Sequence, residues 1–336
     1  MKKFYNTIEN LFNESIKGVA KAHSDILKLN PDPCYITRTA PTPANKVVLI
    51  SGGGAGHEPL HAGFVGKGML DAACPGQTFT SPTPDQMMAA AEEVSTDAGV
   101  IFIVKNYAGD VMNFEIGAEM SDCPSESVIV ADDVSLPKDH PIGRRGVAGT
   151  LIVEKMIGAA AENGSDLATC KAIGDRVAES TASMGVALTS CTIPALGEPT
   201  FSIAEDEMEM GVGIHGERGI ETMKLGTAKE ITAIICKKIE DDLKPQKGQR
   251  ILLHVNGLGA TPPMEQYLIF DEEVRDILLG TDPDNATAMT RKLLKERGQT
   301  MDVDAKIKFE EGLISEREYK ILKTASDKID RQINAK

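Results

Sequence analysis

Val47-Val48-Leu49-Ile50-Ser51-Gly52-Gly53-Gly54-Ala55-Gly56-His57-Glu58 joins a β-branched run to a glycine cluster with a histidine behind it. Four apolar residues in a row, without polar alternation, predict a strand covered on both faces, as in a largely parallel sheet. The pattern returns twice. Val100-Ile101-Phe102-Ile103-Val104 stops at Lys105-Asn106-Tyr107, and Ser127-Val128-Ile129-Val130 stops at Asp132-Asp133. Helical signals lie around and between these runs. Phe4, Ile8, Leu11, Phe12, Ile16 and Val19 recur at helical spacing and predict a helix over about residues 4–20. Thr83-Pro84-Asp85-Gln86 reads as an N-cap, a proline at the first helical position and a capping box, with Met87 to Val94 continuing the helix. Val147 to Ala161 is a further apolar helix. Alternating strands and helices give an α/β domain over residues 1–185.

A second α/β domain is expected over residues 186–272. It opens at Val186-Ala187-Leu188, carries a helix over about 227–243, and includes Ile251-Leu252-Leu253-His254-Val255 as a strand. The sheets are expected to be largely parallel or mixed and flanked by helices. Residues 273–336 are charged and poor in β-branched runs. Ser315-Glu316-Arg317-Glu318 is a capping box before apolar residues at helical spacing, which predicts a helical C-terminal tail.

With 336 residues the chain exceeds one ordinary core, in keeping with two domains. A formal net charge of −14 argues against nucleic acid and anionic membrane surfaces as partners. No apolar run approaches a membrane span. Met1-Lys2-Lys3-Phe4 begins no signal peptide, so a cytoplasmic protein is expected. The six cysteines form no C-x-x-C pair, which removes zinc-finger and thioredoxin-like readings and leaves buried thiols.

Three loops carry candidate chemistry. The Gly52–His57 turn is neither a P-loop, since no Lys-Ser/Thr follows, nor a dinucleotide fingerprint, since His57 stands where the last glycine belongs. Lys105 is the first residue past a predicted strand, and Asp110 follows in a loop with Gly109. Ligands of open α/β sheets sit beyond the carboxyl ends of strands, and a carboxylate there can take a proton from a hydroxyl. Gly211-Val212-Gly213-Ile214-His215-Gly216-Glu217-Arg218-Gly219 sets an imidazole among glycines that allow close approach to a ligand. The acidic stretch Glu205 to Glu209 before it argues against pyrophosphate. His61, four residues past His57, would share a helix face with it, but H-E-x-x-H spacing is absent and no metal site is expected.

Taken together, SGGGAGHEPLHAGFVGKGMLDAACPGQTFTSPTPDQ, IVKNYAGDVMNFE, GRRGVAGT and EMGVGIHGERG, followed by VNGLGATP, resemble the dihydroxyacetone kinase K-subunit family, of the PEP-dependent, phosphotransferase-linked type. The resemblance runs over about residues 1–272. It implies a homodimer of two α/β domains and a substrate, dihydroxyacetone, bound as a covalent hemiaminal to a histidine, which by motif match is His215. It further implies that His57 and Asp110 are the acid/base residues and that Gly54, Ala55, Gly56, His57, Lys105 and Asp110 contact the substrate. No cofactor is expected on this chain. ATP or ADP and magnesium would sit on a separate L-type subunit, recharged by an M-type phosphotransferase protein. Two features depart from the family pattern. Arg218 stands where proline often follows the glutamate, and residues from about 273 do not resemble the family's C-terminal strands. Two other readings stay open: a ketose-binding coactivator-type paralogue, and a kinase subunit for a related ketose such as erythrulose.

Overall fold

The β-branched runs assemble side by side. In the computed structural model, which describes residues 3–246 and 249–279, helix α1 (Leu11–Ala22) precedes a hairpin of β1 (Leu27–Pro31) and β2 (Cys34–Arg38). Then come β3 (Val48–Ala55), β4 (Ala72–Thr78), α2 (Pro84–Val94), β5 (Val100–Lys105), α3 (Ala108–Glu119), β6 (Ser125–Val130), α4 (Gly149–Glu162) and α5 (Leu167–Glu179). The six strands form one sheet in the order β1-β2-β4-β3-β5-β6. The four strands from β4 to β6 are parallel, and the hairpin closes one side antiparallel.

Strand side chains alternate between faces. Val48, Ile50 and Phe102 pack under α2 and α3 with Met87 and Phe114. Leu49, Ile101 and Ile103 face α1, α4 and α5 through Phe12, Val153, Ile157 and Cys170. Both faces are therefore dry, which is why these strands read as unbroken apolar runs.

A smaller antiparallel sheet, β7 (Val186–Ala187), β8 (Glu207–Met210) and β9 (Glu221–Lys224), packs Met208 and Met210 against Ile231 of α6 (Ala228–Leu243). Thr227 and Glu230 form the capping box that starts α6, and Thr83 and Gln86 do so for α2. Helix α7 (Pro263–Leu279) ends the described chain. Residues up to Gln266 belong to one unit and those from Tyr267 to a second. Among the described residues no helix is long and apolar enough to cross a membrane.

Four local expectations change. The first helix begins at Leu11 rather than near residue 4, and Phe4 lies exposed outside it. The glycines 52–54 do not end their strand but form its carboxyl half, paired with Cys74, Pro75 and Gly76 of β4. Asp110 stands in the first turn of α3 instead of a loop, where an acidic group meets the positive end of the helix dipole. Residues 251–255 form no strand. Among the described residues no neighbour supplies a ladder, and Ile251 and Leu252 remain exposed. The predicted tail helix over 315–333 lies outside the described residues.

Candidate functional site

The parallel strands β3 and β5 end side by side, and their carboxyl ends carry the candidate chemistry. Lys105, the last residue of β5, is fully buried. Its ammonium donates to the Gly52 carbonyl at 2.9 Å, contacts His61 Nε2 at 2.8 Å, and lies 3.7 Å from Asp110 Oδ2. Glycine at position 53 leaves room for the Lys105 ammonium, which a Cβ there would displace. Burial lowers the Lys105 pKa, and the charges of Asp110 and Glu154 oppose that fall.

His57 follows β3 and stacks on Phe79, with centroids 4.9 Å apart and planes 20° apart. Its other neighbour is His215, edge-on at 4.7 Å. Burial, then the charges of His215 and Lys105, push His57 down to about 3. The ring is therefore neutral at ordinary pH, and its buried Nε2 has no protein partner.

His215 stands between three rings. Besides His57, it meets Tyr107 at 4.5 Å and Phe79 at 5.7 Å. Tyr107 is the N-cap residue of α3, so this contact sets His215 over the helix end that carries Asp110. Glu217 holds His215 twice: Oε2 accepts from the His215 backbone N–H at 2.8 Å, and Oε1 lies 3.1 Å from Nδ1. Burial would raise Glu217, but its hydrogen bonds to His215 prevail and hold it at about 2. An anionic Glu217 can only accept, so Nδ1 keeps its proton and donates it to Oε1, which leaves the lone pair on Nε2. Glycine at 213 lets the Glu217 carboxylate come close to the backbone, since a Cβ there would have to displace it.

The GRRGVAGT segment docks this loop. Arg145 is buried and donates to Asp133 Oδ2 at 2.7 Å, the Gly211 carbonyl at 2.7 Å and Ser135 Oγ at 3.0 Å. Arg144 makes a forked pair with Asp242 of α6 at 3.0 and 2.7 Å. Asp132 accepts from the Val147 and Gly149 N–H groups at the start of α4. The paired aspartates after β6 thus serve as anchors.

His57, Lys105, Asp110 and His215 come together, and Gly54, Ala55 and Gly56 pack against Phe79 beside them. The Phe79 N–H donates to the Ala55 carbonyl at 2.9 Å, and a Cβ on Gly54 or Gly56 would meet Phe79. His61 shares no helix face with His57. Both its ring nitrogens are engaged, one by Lys105 and the other by Glu154 at 2.6 Å. Among the described residues no cluster of three His, Cys, Asp or Glu could hold a metal ion. The roles of Phe79, Tyr107, Arg145 and Glu154 carry no sequence signal of their own. Glu217, two residues past a glycine-framed histidine, was the one partner that proximity could have suggested.

A family model described as the Dak1 domain matches residues 17–290. A curated relative from Listeria innocua, "PTS-dependent dihydroxyacetone kinase 1, dihydroxyacetone-binding subunit DhaK", is 44% identical over 282 residues, covering 83% of this chain and 85% of its own length. Among solved structures, the dihydroxyacetone kinase of C. freundii superposes with a TM-score of 0.73 at 36% identity, over 81% of this chain and 50% of that one. This chain therefore spans about half of that kinase. The "Dihydroxyacetone kinase operon co-activator Dha-DhaQ" gives a TM-score of 0.75 at 30% identity, over 80% of this chain and 83% of the other.

Proposed function

The chain belongs to the Dak1 family, and from that premise we propose that it is the dihydroxyacetone-binding subunit of a two-part kinase. The observation that carries the reading is the His57–His215 ring contact at 4.7 Å, with Glu217 on Nδ1 of His215 and the Lys105–Asp110 pair at the same sheet end. The lone pair on His215 Nε2 adds to the ketone carbon, the C=O electron pair moves onto oxygen, which takes a proton from water, and Nδ1 releases its own proton past Glu217 to solvent, leaving a neutral hemiaminal. Glycerol has no carbonyl and is rejected by chemistry rather than shape, a discrimination that pocket contacts alone supply poorly. The adduct fixes the free hydroxymethyl group. Neutral His57 hydrogen-bonds the substrate through its open Nε2, and Asp110 accepts the hydroxyl proton as the oxygen attacks a γ-phosphoryl group.

The phosphoryl donor belongs on a separate nucleotide-bearing L-type subunit with its magnesium, recharged through an M-type phosphotransferase protein. The carboxylates around this site are already committed: Asp110 faces Lys105, Asp133 faces Arg145, Asp132 caps α4 and Glu217 holds His215. Such a set suits a ketose and leaves no free array for a metal–nucleotide complex. We further propose a homodimeric, cytoplasmic protein.

Similarity to the operon co-activator favours a second reading, a ketose-binding regulatory subunit. The buried Lys105–Asp110 pair supports the kinase, because binding alone needs no base. In 13C NMR with dihydroxyacetone labelled at its carbonyl carbon, the ketone signal should give way to a tetrahedral one in wild type but not in His215→Ala. An unchanged ketone signal in wild type would overturn the covalent step. Adding an L-type subunit with ATP then separates the readings: adduct with phosphoryl transfer supports the kinase, and adduct without transfer supports the regulator. Erythrulose in the same assay tests the ketose, since one added hydroxymethyl group discriminates by only about 1–3 kcal/mol.

A further inference from the structure

The Lys105 ammonium has no exposure. A cation so placed needs acceptors, because desolvation is costly unless hydrogen bonds replace the lost water. Asp110 at 3.7 Å is too distant for a good hydrogen bond. The near partners are the Gly52 carbonyl and His61 Nε2. An ammonium only donates, so Nε2 must present its lone pair and the ring proton must sit on Nδ1. From there it is donated to Glu154 Oε1, 2.6 Å away. Glu154 comes from α4 and is itself fully buried. One tautomer satisfies both contacts. A continuous buried line then runs from Glu154 through His61 and Lys105 to Asp110.

We propose that His61 and Glu154 are positioning residues that keep Lys105 protonated and held beside Asp110. The inference rests on the reading above, in which Lys105 and Asp110 serve the ketose. Four titratable groups face the Lys105 ammonium: Asp110 from α3, Glu154 from α4, and His57 and His61 from the segment after β3. Strand β3 itself adds only the Gly52 carbonyl. Burial and the Lys105 charge lower His61, so the ring stays neutral and able to accept. With that acceptor removed, burial prevails. Lys105 then surrenders its proton at lower pH and Asp110 loses its cation.

The test uses the full chain with 15Nζ-lysine NMR, the Lys105 signal being assigned by its loss in Lys105→Met. His61→Leu removes the acceptor. His61→Gln places an amide oxygen near the position of Nε2. Lys105 should deprotonate at least about one pH unit lower in His61→Leu than in wild type, and His61→Gln should recover most of that shift. The alkaline limb of kcat in the reconstituted transfer assay should move down with it. If His61→Leu does not fold, Glu154→Gln takes its place. Its amide can donate to Nδ1 and turn the ring proton toward Lys105, so the same downward shift is expected. An unmoved Lys105 titration, with a rate lowered equally at every pH, assigns His61 and Glu154 a purely structural role and overturns the proposal. So does a wild-type 15N spectrum that places the His61 proton on Nε2. A wild type that binds no ketose or transfers no phosphoryl group defeats the functional reading instead, and the lysine titration still decides the relay.

Discussion

Glu217→Gln probes the link between loop geometry and the nucleophile. The carboxylate receives two N–H groups of one residue, the His215 backbone at 2.8 Å and the ring Nδ1 at 3.1 Å. A glutamine side chain offers one oxygen and one NH2. If the oxygen takes the backbone N–H, the NH2 faces Nδ1 and drives the ring proton to Nε2, the atom that must attack. A charge-assisted hydrogen bond contributes about 1.5–3 kcal/mol. The Glu217 side chain is 36% exposed, so water recovers part of that, leaving roughly 1–2 kcal/mol. At 1.4 kcal/mol per tenfold, hemiaminal formation should weaken by about 5- to 30-fold. Titration with carbonyl-labelled dihydroxyacetone, followed by 13C NMR, reads the adduct directly, and calorimetry gives the same constant independently. An affinity within about twofold of wild type would refute the idea that Glu217 sets the tautomer of His215.

Three further outcomes follow from the same geometry. Asp110→Asn should keep the adduct, because its carbonyl chemistry needs only His215, yet lower phosphoryl transfer by about 100-fold or more; rapid-quench turnover at the wild-type rate removes Asp110 from the mechanism. Arg145→Leu strands buried Asp133 and frees the Gly211 carbonyl, so thermal unfolding should show a loss of about 3–5 kcal/mol, whereas a loss under 1 kcal/mol would mean the arginine only fills space. Acid should destabilise the protein through His57. Its folded value, about 3, lies below the ordinary 6.5, so the unfolded chain takes the proton first and stability falls as pH drops below about 6.5. The contribution is about 3 kcal/mol by pH 4. Denaturant melts of wild type and His57→Asn should diverge across that window, and parallel curves would show that burial does not hold the ring neutral.

Much of the large sheet could be read in advance because both its faces are buried. Burial on two sides removes polar alternation, so Val47–Ile50 and Val100–Val104 stood out as strands, whereas Ser127–Val130 proved to be the edge strand, with Val128 and Val130 buried and Ile129 exposed. The capping box at Thr83 was legible for a different reason: it is a contact between residues three apart. The glycines 52–54 misled because their missing side chains serve the close approach of Cys74, Lys105 and Phe79 respectively rather than a turn of the chain. Residues 251–255 misled in the opposite sense. Their apolar pattern satisfies local propensity, but a strand exists only when a second one pairs with it.

The same division governs the site. The chain by itself determined the chemical inventory: two glycine-framed histidines, a lysine at a strand end and a carboxylate five residues later. Local spacing also determined that these sit near the ends of elements, where backbone is free to meet a ligand. Which groups face one another was left to the tertiary structure. Glu154 reaches His61 across 93 residues, Arg145 reaches Gly211 across 66, and His57 meets His215 across a still longer separation. Contacts of that length leave no periodicity in a sequence. They arise only when packed layers bring the carboxyl ends of β3 and β5 under the His215 loop, and there burial holds the rings of His57 and His61 neutral while the partner each ring nitrogen meets settles which one carries a proton and which offers its lone pair.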